Sequence, residues 1–294
     1  MSIFSFVRRF LLLLPLIFAA AFIWVYRTLH EQPAAYAKYP VAEEKSFVVI
    51  IPSYNNSLFC EHNLFSVLTQ NYENFRVIYI DDASTDDTQQ KVASFIEKMD
   101  PKNRVTLIRN RKNAGALKNI YRAVHSCSKK EIVVLVDGDD FLAHDGVLAY
   151  LNKVYANPYV WMTYGSFVDY PDMKPSEPIT SEMIPLKVLL RGKVRRYPWR
   201  SAHLRTFYAG LFQKIHKEDL LWEGKFLPMA VDLAMIFPLL EMSGSHARYV
   251  DKVLYLYNHA NPLNNCKIDL RLQQQLGQHI RALPSYPALQ DPPF

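Results

Sequence analysis

The sequence predicts an α/β fold built on a mostly parallel sheet flanked by helices, and three observations predict it. Apolar, β-branched runs recur at residues 47–51 (FVVII), 75–80, 104–108 and 132–136 (IVVLV). Between them lie segments with apolar residues at helical spacing, such as Leu64, Val67 and Leu68. Each run stops in a turn-forming or polar stretch. Continuous apolar runs are the signature of strands buried on both faces, and strands alternating with helices at this spacing form right-handed β-α-β units.

In chain order, Arg8 and Arg9 precede an uncharged run at residues 10–26, FLLLLPLIFAAAFIWVY, which Arg27 closes. About 17 apolar residues is the lower limit for crossing a bilayer, and Trp24 and Tyr26 suit its interface. Residues 10–26 therefore read as a transmembrane signal anchor behind a 1–9 tail. A cleaved signal peptide ending near Ala19-Ala20-Ala21 is the competing reading, opposed by the apolar continuation Phe22-Ile23-Trp24-Val25. Basic residues flank both sides, so the positive-inside rule leaves the orientation open. Residues 27–45 read as a linker, 46–262 as the main globular domain, and 263–294 as a C-terminal helix and tail.

The first strand is stopped by Pro52-Ser53-Tyr54-Asn55-Asn56, since proline cannot continue a central strand. A helix around Leu64 leads to the second strand, which ends in DDASTDDT, where Ser84 or Thr85 is predicted to cap a helix running to Met99. After the third strand, Asn113-Ala114-Gly115 opens a helix carrying Lys118, Asn119 and Arg122. The ends of the four strands share one edge. Beyond the fourth strand, residues 147–155 read as a helix, 159–168 as a strand, 233–242 as an apolar helix and 270–281 as a polar helix. Two short strands are predicted at 247–250 and 253–257, and the proline-rich end is predicted to be loose.

The chain has 294 residues, 50% hydrophobic and 21% charged, which excludes extensive disorder. A formal charge of +6 is spread along the sequence and marks no nucleic-acid-binding block. Cys60, Cys127 and Cys266 lack CxxC spacing, which excludes a zinc framework and reads as buried thiols. Residues 187–205 gather Lys187, Arg191, Lys193, Arg195, Arg196, Arg200 and Arg205 among aromatics, either facing phosphates or forming a solvated amphipathic surface.

Asp137-Gly138-Asp139-Asp140 closes the fourth strand, where ligands of open α/β sheets collect. Magnesium is held by one or two carboxylates plus substrate phosphates, so this turn suits a metal–nucleotide complex. A D-G turn with solvated acids is the alternative. No GxGxxG or GxxxxGK[ST] loop follows the first strand, so dinucleotide-binding and P-loop readings lose their support.

FVVIIPSYNN, the strand ending in DDASTDDT, NAGALKNIYRA and IVVLVDGDD together resemble the donor-binding half of family 2 glycosyltransferases. The resemblance implies a GT-A fold with a Rossmann-like nucleotide half and an acceptor half. It implies that Pro52, Ser53 and Tyr54 line the base site, that Asp82 with Asp81 binds uracil or ribose, and that Asn113 and Lys118 border the donor. Asp139 becomes the main ligand of Mn²⁺ or Mg²⁺, Asp137 a ribose or metal-water contact, and Asp140 their support. His259 in YNHANP matches a histidine that ligates metal in some members. Val231-Asp232 stands where members carry an acidic pair at a helix start, which makes Asp232 the catalytic base, although the partner glutamate is replaced. The Gln/Arg-x-x-Arg-Trp signature of processive synthases is absent.

The resemblance implies inverting, non-processive transfer from a nucleotide-diphosphate sugar, a UDP-sugar above all, to a glycan or lipid-linked acceptor at a membrane. Metal at Asp139 acts on the diphosphate while Asp232 deprotonates the acceptor hydroxyl. Sugar nucleotides are cytosolic in bacteria, which places the domain in the cytoplasm there and in the lumen for a secretory-pathway enzyme. A sugar nucleotidyltransferase and a catalytically silent nucleotide-sugar-binding protein are the rival readings.

Overall fold

The computed structural model describes residues 43–175, 181–261 and 269–294. The predicted anchor at 10–26 and Cys266 lie outside the described residues. Among the described residues no helix is long and apolar enough to cross a membrane.

The four predicted strands form as β1 (Phe47–Ser53), β2 (Phe75–Asp81), β3 (Val105–Arg109) and β4 (Ile132–Leu135). Between them run α1 (Cys60–Leu68), α2 (Thr88–Met99) and α3 (Ala116–His125). The strands pair in parallel in the order β3-β2-β1-β4, with Phe47 opposite both Phe75 and Ile132. Their side chains alternate between two cores. Val48, Ile50, Val133 and Leu135 pack with Leu117 and Ile120 of α3, whereas Phe47, Val49, Ile51 and Val134 pack with Leu64 and Val67 of α1. Burial on both faces is why these strands read as unbroken apolar runs. From β3 the chain crosses to the far side of β1 to make β4, so the topological switch point lies between the ends of β1 and β4.

The second half departs from the predicted parallel sheet. It contains β5 (Phe141–Leu142), α4 (Val147–Tyr155), β6 (Met162–Tyr170), β7 (Lys174–Pro175), α5 (Leu186–Leu190), β8 (Arg205–Tyr208) and α6 (Ala209–Phe212). A hairpin of β9 (Leu221–Trp222) and β10 (Lys225–Phe226) then precedes α7 (Val231–Ser243), β11 (Ala247–Asn258) and α8 (Leu270–Ala282). β8 lies between β4 and β6, antiparallel to both, while β11 runs parallel to β6 and antiparallel to β5. The sheet is therefore mixed. β8 begins at the carboxyl end of β4, with Arg205 opposite Leu135, and so runs backwards between β4 and β6.

Three local expectations change. Ala247–Asn258 is one strand, and register shifts against β6 after Val250 and Val253 account for the broken pattern. Asp86, not Ser84 or Thr85, accepts the first backbone N–H of α2, from Thr88 at 3.0 Å, while Ser84 Oγ accepts from Asn55 N at 2.9 Å. The C-terminal end is packed and not loose: Leu289 N donates to Met242 O at 2.9 Å, and the Phe294 ring lies 4.0 Å from that of Tyr208. Proline fits there because an extended segment lying on apolar surface needs few backbone donors.

The basic stretch divides. Arg195, 4% exposed, makes a two-pronged ion pair with the fully buried Glu241 of α7 at 2.8 and 3.0 Å. Its Nη1 also donates to Ile280 O of α8 at 2.6 Å. Arg200 pairs with Glu182 at 3.0 Å, Lys187, Arg191, Lys193 and Arg196 are exposed, and Arg205 turns inward.

Candidate active site

A cleft of about 400 Å³ opens at the switch point. Pro52, Tyr54 and Asn56 from the end of β1 line one part, and the acidic turn after β4 forms its floor. Arg205 enters from β8 and His203 from the bend just before it, Asp232 and Met235 from α7, and Gln273 from α8.

The turn is fixed by its neighbours. Gly138 N donates to Pro52 O at 3.1 Å, and a Cβ on Gly138 would lie 2.7 Å from both Ser53 Cβ and Asn56 Nδ2, so only glycine fits between the two strand ends. Asn63 Nδ2 donates to the carbonyls of Asp137 and Asp140 at 2.9 and 2.7 Å. The Asp140 carboxylate is buried and accepts from the Tyr255 hydroxyl and Asn258 N, both at 2.7 Å, which ties the turn to β11. Asp139 Oδ2 accepts from Asn261 Nδ2 at 2.6 Å.

The electrostatics of the cleft are those of an anionic site short of cations. Burial and then the charge of Asp139 push Asp137 up to about 6, against the pull of Arg205. Burial, followed by Asp139 and Asp137, holds Asp140 well above the usual carboxylate range. Burial also raises Asp139. Burial and the neighbouring Arg205 hold His203 well below the ordinary imidazole value, so its ring is neutral and able to ligate. Arg205 is the one cation that lines the cleft among the described residues, and its Nη2 lies 3.6 Å from Asp232 Oδ2. Asp137, Asp140 and His203 bring ligand atoms within 4.8 Å of one another. Carboxylate oxygens beside a neutral imidazole, with too little positive charge around them, fit Mn²⁺ or Mg²⁺.

The sequence profile of Glycosyl transferase family 2 matches residues 48–220, more than half of the chain. The chain belongs to glycosyl transferase family 2. An uncharacterized glycosyltransferase of Haemophilus influenzae is 32% identical over 148 residues, which cover 49% of this chain and 56% of that relative. The chain thus matches little more than half the length of that relative. Two solved structures share the fold. The mannosyltransferase PcManGT from Pyrobaculum calidifontis, in complex with GDP-Man and Mn²⁺, superposes with a TM-score of 0.58 at 22% identity over 97% of this chain and 77% of its own. S. aureus TarS 1-349, in complex with UDP-GlcNAc, gives 0.56 at 20% identity over 72% and 58%.

Within this family member the predicted site residues separate into two groups. Pro52, Tyr54, Asp137, Asp139 and Asp232 line the cleft together. Ser53 is buried behind it, its Oγ accepting from Tyr79 at 2.8 Å and Asn56 at 3.1 Å. Asp82 is also buried and accepts from Asn110 Nδ2, Ala114 N and Gly115 N at 2.7, 2.8 and 2.8 Å, so it braces the loop that opens α3. Asp81 is buried beside it, with an Oδ1 that finds no donor among the described residues. Asn113 is exposed, its Oδ1 accepting from Gly115 N at 3.2 Å, and neither it nor Lys118 is among the cleft-lining residues. His259 stands 3.6 Å from Asp172, and the histidine that the fold brings to the acidic turn is His203. Sequence reasoning placed His203 and Arg205 only within a basic stretch and missed Asn261, Tyr255 and Gln273. No local pattern marks them, because strand pairing and helix packing carry them to the turn.

Proposed function

We propose that this chain transfers a hexose from a nucleoside diphosphate sugar to an acceptor hydroxyl, with inversion and without processivity, held at a membrane by the apolar run at residues 10–26. One observation carries the reading: the acidic turn and Asp232 line the same switch-point cleft, and Arg205 acts on both. The sugar nucleotides held by the two structures of the same fold support a sugar-nucleotide donor, and the Mn²⁺ in one of them supports a divalent metal.

In this reading Pro52 and Tyr54 border the nucleoside, and Asp82 and Asp81 shape the wall behind it. Asp137, Asp139, Asp140 and His203 would hold the divalent cation, which when bound neutralises the departing diphosphate. Arg205 adds a fixed guanidinium donor for developing charge. Asp232, in the first turn of α7, is oriented by Arg205 and takes the proton of the acceptor hydroxyl. Attack from the Asp232 side, away from the leaving group, inverts the anomeric carbon. An anchored domain selects a glycan or lipid-linked acceptor near the membrane.

The test is a panel of UDP- and GDP-sugars offered to the full-length chain with manganese and with a chelator. Manganese-dependent release of nucleoside diphosphate is expected. Pyrophosphate release from a nucleoside triphosphate and a sugar 1-phosphate, with no diphosphate released from any sugar nucleotide, would assign a nucleotidyltransferase, and neither release would assign a binding protein.

A further inference from the structure

One side chain touches all three of the residues that converge as a cation site. Asp137, Asp140 and His203 bring ligand atoms within 4.8 Å of one another, but His203 lies more than 60 residues along the chain from the acidic turn. No local geometry keeps the two stretches in register. Tyr255 of β11 does so from behind. Its hydroxyl donates to Asp140 Oδ2 at 2.7 Å and accepts from Asp137 N at 3.1 Å. Its ring lies 4.4 Å from the His203 ring, with the two planes 8° apart. Pairing of Tyr255 with Leu142 of β5, two residues after Asp140, fixes the side chain beside the turn.

The hydroxyl and the ring do different things. The single hydroxyl proton goes to Asp140, so that carboxylate is held by Tyr255 on one oxygen and by Asn258 N, at 2.7 Å, on the other. Each oxygen keeps a further lone pair for a cation. For His203 the contact is with the ring face. A ligating imidazole is ordinarily fixed by a hydrogen bond at its second nitrogen, and among the described residues neither nitrogen of His203 has one. Parallel stacking on Tyr255 takes that place, because it sets the plane of the imidazole and leaves open the edge where both nitrogens lie. Tyr257, at 5.8 Å and 21°, and the edge of Phe167, at 5.8 Å, add to the same aromatic seat. Ligands locked by such supporting contacts are preorganised for their ion.

We propose that Tyr255 is the positioning residue of the divalent-cation site, its hydroxyl setting the Asp140 carboxylate and its ring setting the plane of His203 in advance of the ion. The inference rests on the metal-dependent reading and names what builds the site within it. Tyr255 is 0% exposed, so it meets neither the ion nor the sugar nucleotide and acts only through Asp137, Asp140 and His203. It lies beyond the family-matched residues 48–220, so the match to the family does not single it out. The two parts of the side chain are separable: phenylalanine keeps the ring and removes the hydroxyl, whereas leucine removes both.

The test uses the full-length chain with Mn²⁺ alone, then with Mn²⁺ and UDP or GDP. Calorimetry gives the Mn²⁺ affinity, and electron spin-echo envelope modulation of the bound Mn²⁺ shows whether an imidazole nitrogen is coordinated. The wild type is expected to show such a nitrogen, lost in His203→Gln and kept in His259→Gln. Tyr255→Phe should weaken Mn²⁺ binding by roughly 10- to 100-fold and keep the nitrogen signal, because the ring stack survives. Tyr255→Leu should weaken binding at least as much and lose most of that signal. Tyr255→Met replaces the leucine variant if circular dichroism shows the latter unfolded. A merely structural role would weaken binding in both variants without dividing them by the nitrogen signal, and that result overturns the positioning role. Unchanged Mn²⁺ affinity in Tyr255→Phe overturns it too, as does a wild type whose bound Mn²⁺ carries no nitrogen from His203. A wild type that binds no Mn²⁺ under any of these conditions defeats the metal-dependent reading itself, and this inference with it.

Discussion

The pair Arg195–Glu241 is the joint through which α8, and with it Gln273, is held to the rest of the fold. Glu241→Leu removes both charged hydrogen bonds, at 2.8 and 3.0 Å, and strips Tyr286 N of the acceptor it now reaches at 3.1 Å. The guanidinium, 4% exposed, is left with the Ile280 carbonyl. Stranding one member of a buried ion pair costs about 3–5 kcal/mol. In a domain of this size each kcal/mol lowers Tm by roughly 2–4 °C, so the expected drop is about 6–20 °C. Thermal unfolding followed by circular dichroism at fixed protein concentration measures it. The double variant Arg195→Met/Glu241→Leu, which leaves no charge stranded, should recover most of the loss. A single variant within about 2 °C of wild type, or a double variant no better than the single, would refute the reasoning.

Asp232→Asn should lower kcat by roughly 10²- to 10⁴-fold with Mn²⁺–nucleotide affinity unchanged by calorimetry, and wild-type turnover would remove Asp232 from the role of base. Asp137 titrates at about 6 in the fold against 3.8 ordinarily, so the folded chain holds that proton more tightly than the unfolded one. Its ionised form is therefore unfavourable above that pH, and the penalty fades as pH falls toward the ordinary value. Without metal, Asp137→Asn should accordingly stabilise the protein at about pH 8, by at most about 3 kcal/mol, and do nothing at about pH 3, as read from Tm at each pH. Gly138→Ala drives a methyl group to 2.7 Å from Ser53 Cβ and Asn56 Nδ2. Overpacking of this kind costs about 1–3 kcal/mol, and the variant should lose Tm and Mn²⁺–nucleotide affinity together; a native-like result in both would show that the strand ends can part.

The sequence by itself determined what short-range chemistry dictates. β1 to β4 were legible because strands buried on both faces must be apolar throughout, and the acidic turn was legible because Asp137, Asp139 and Asp140 are consecutive with the strand that presents them. Asp232 was singled out by the family resemblance and not by its helix start, and the structure places it on the cleft wall. The tertiary structure decided what depends on strand order. β8 inserts backwards between β4 and β6, and this alone brings His203 and Arg205 to the turn, more than 60 residues along the chain from Asp137. The same long-range pairing leaves His259 beside Asp172, engages Asp140 with β11, and turns Asp82 into a brace for the loop before α3. The packing of α8 on α7 adds Gln273 to the cleft. A helix reads its own periodicity locally, but the wall that it completes is fixed by the neighbour on which its buried face rests.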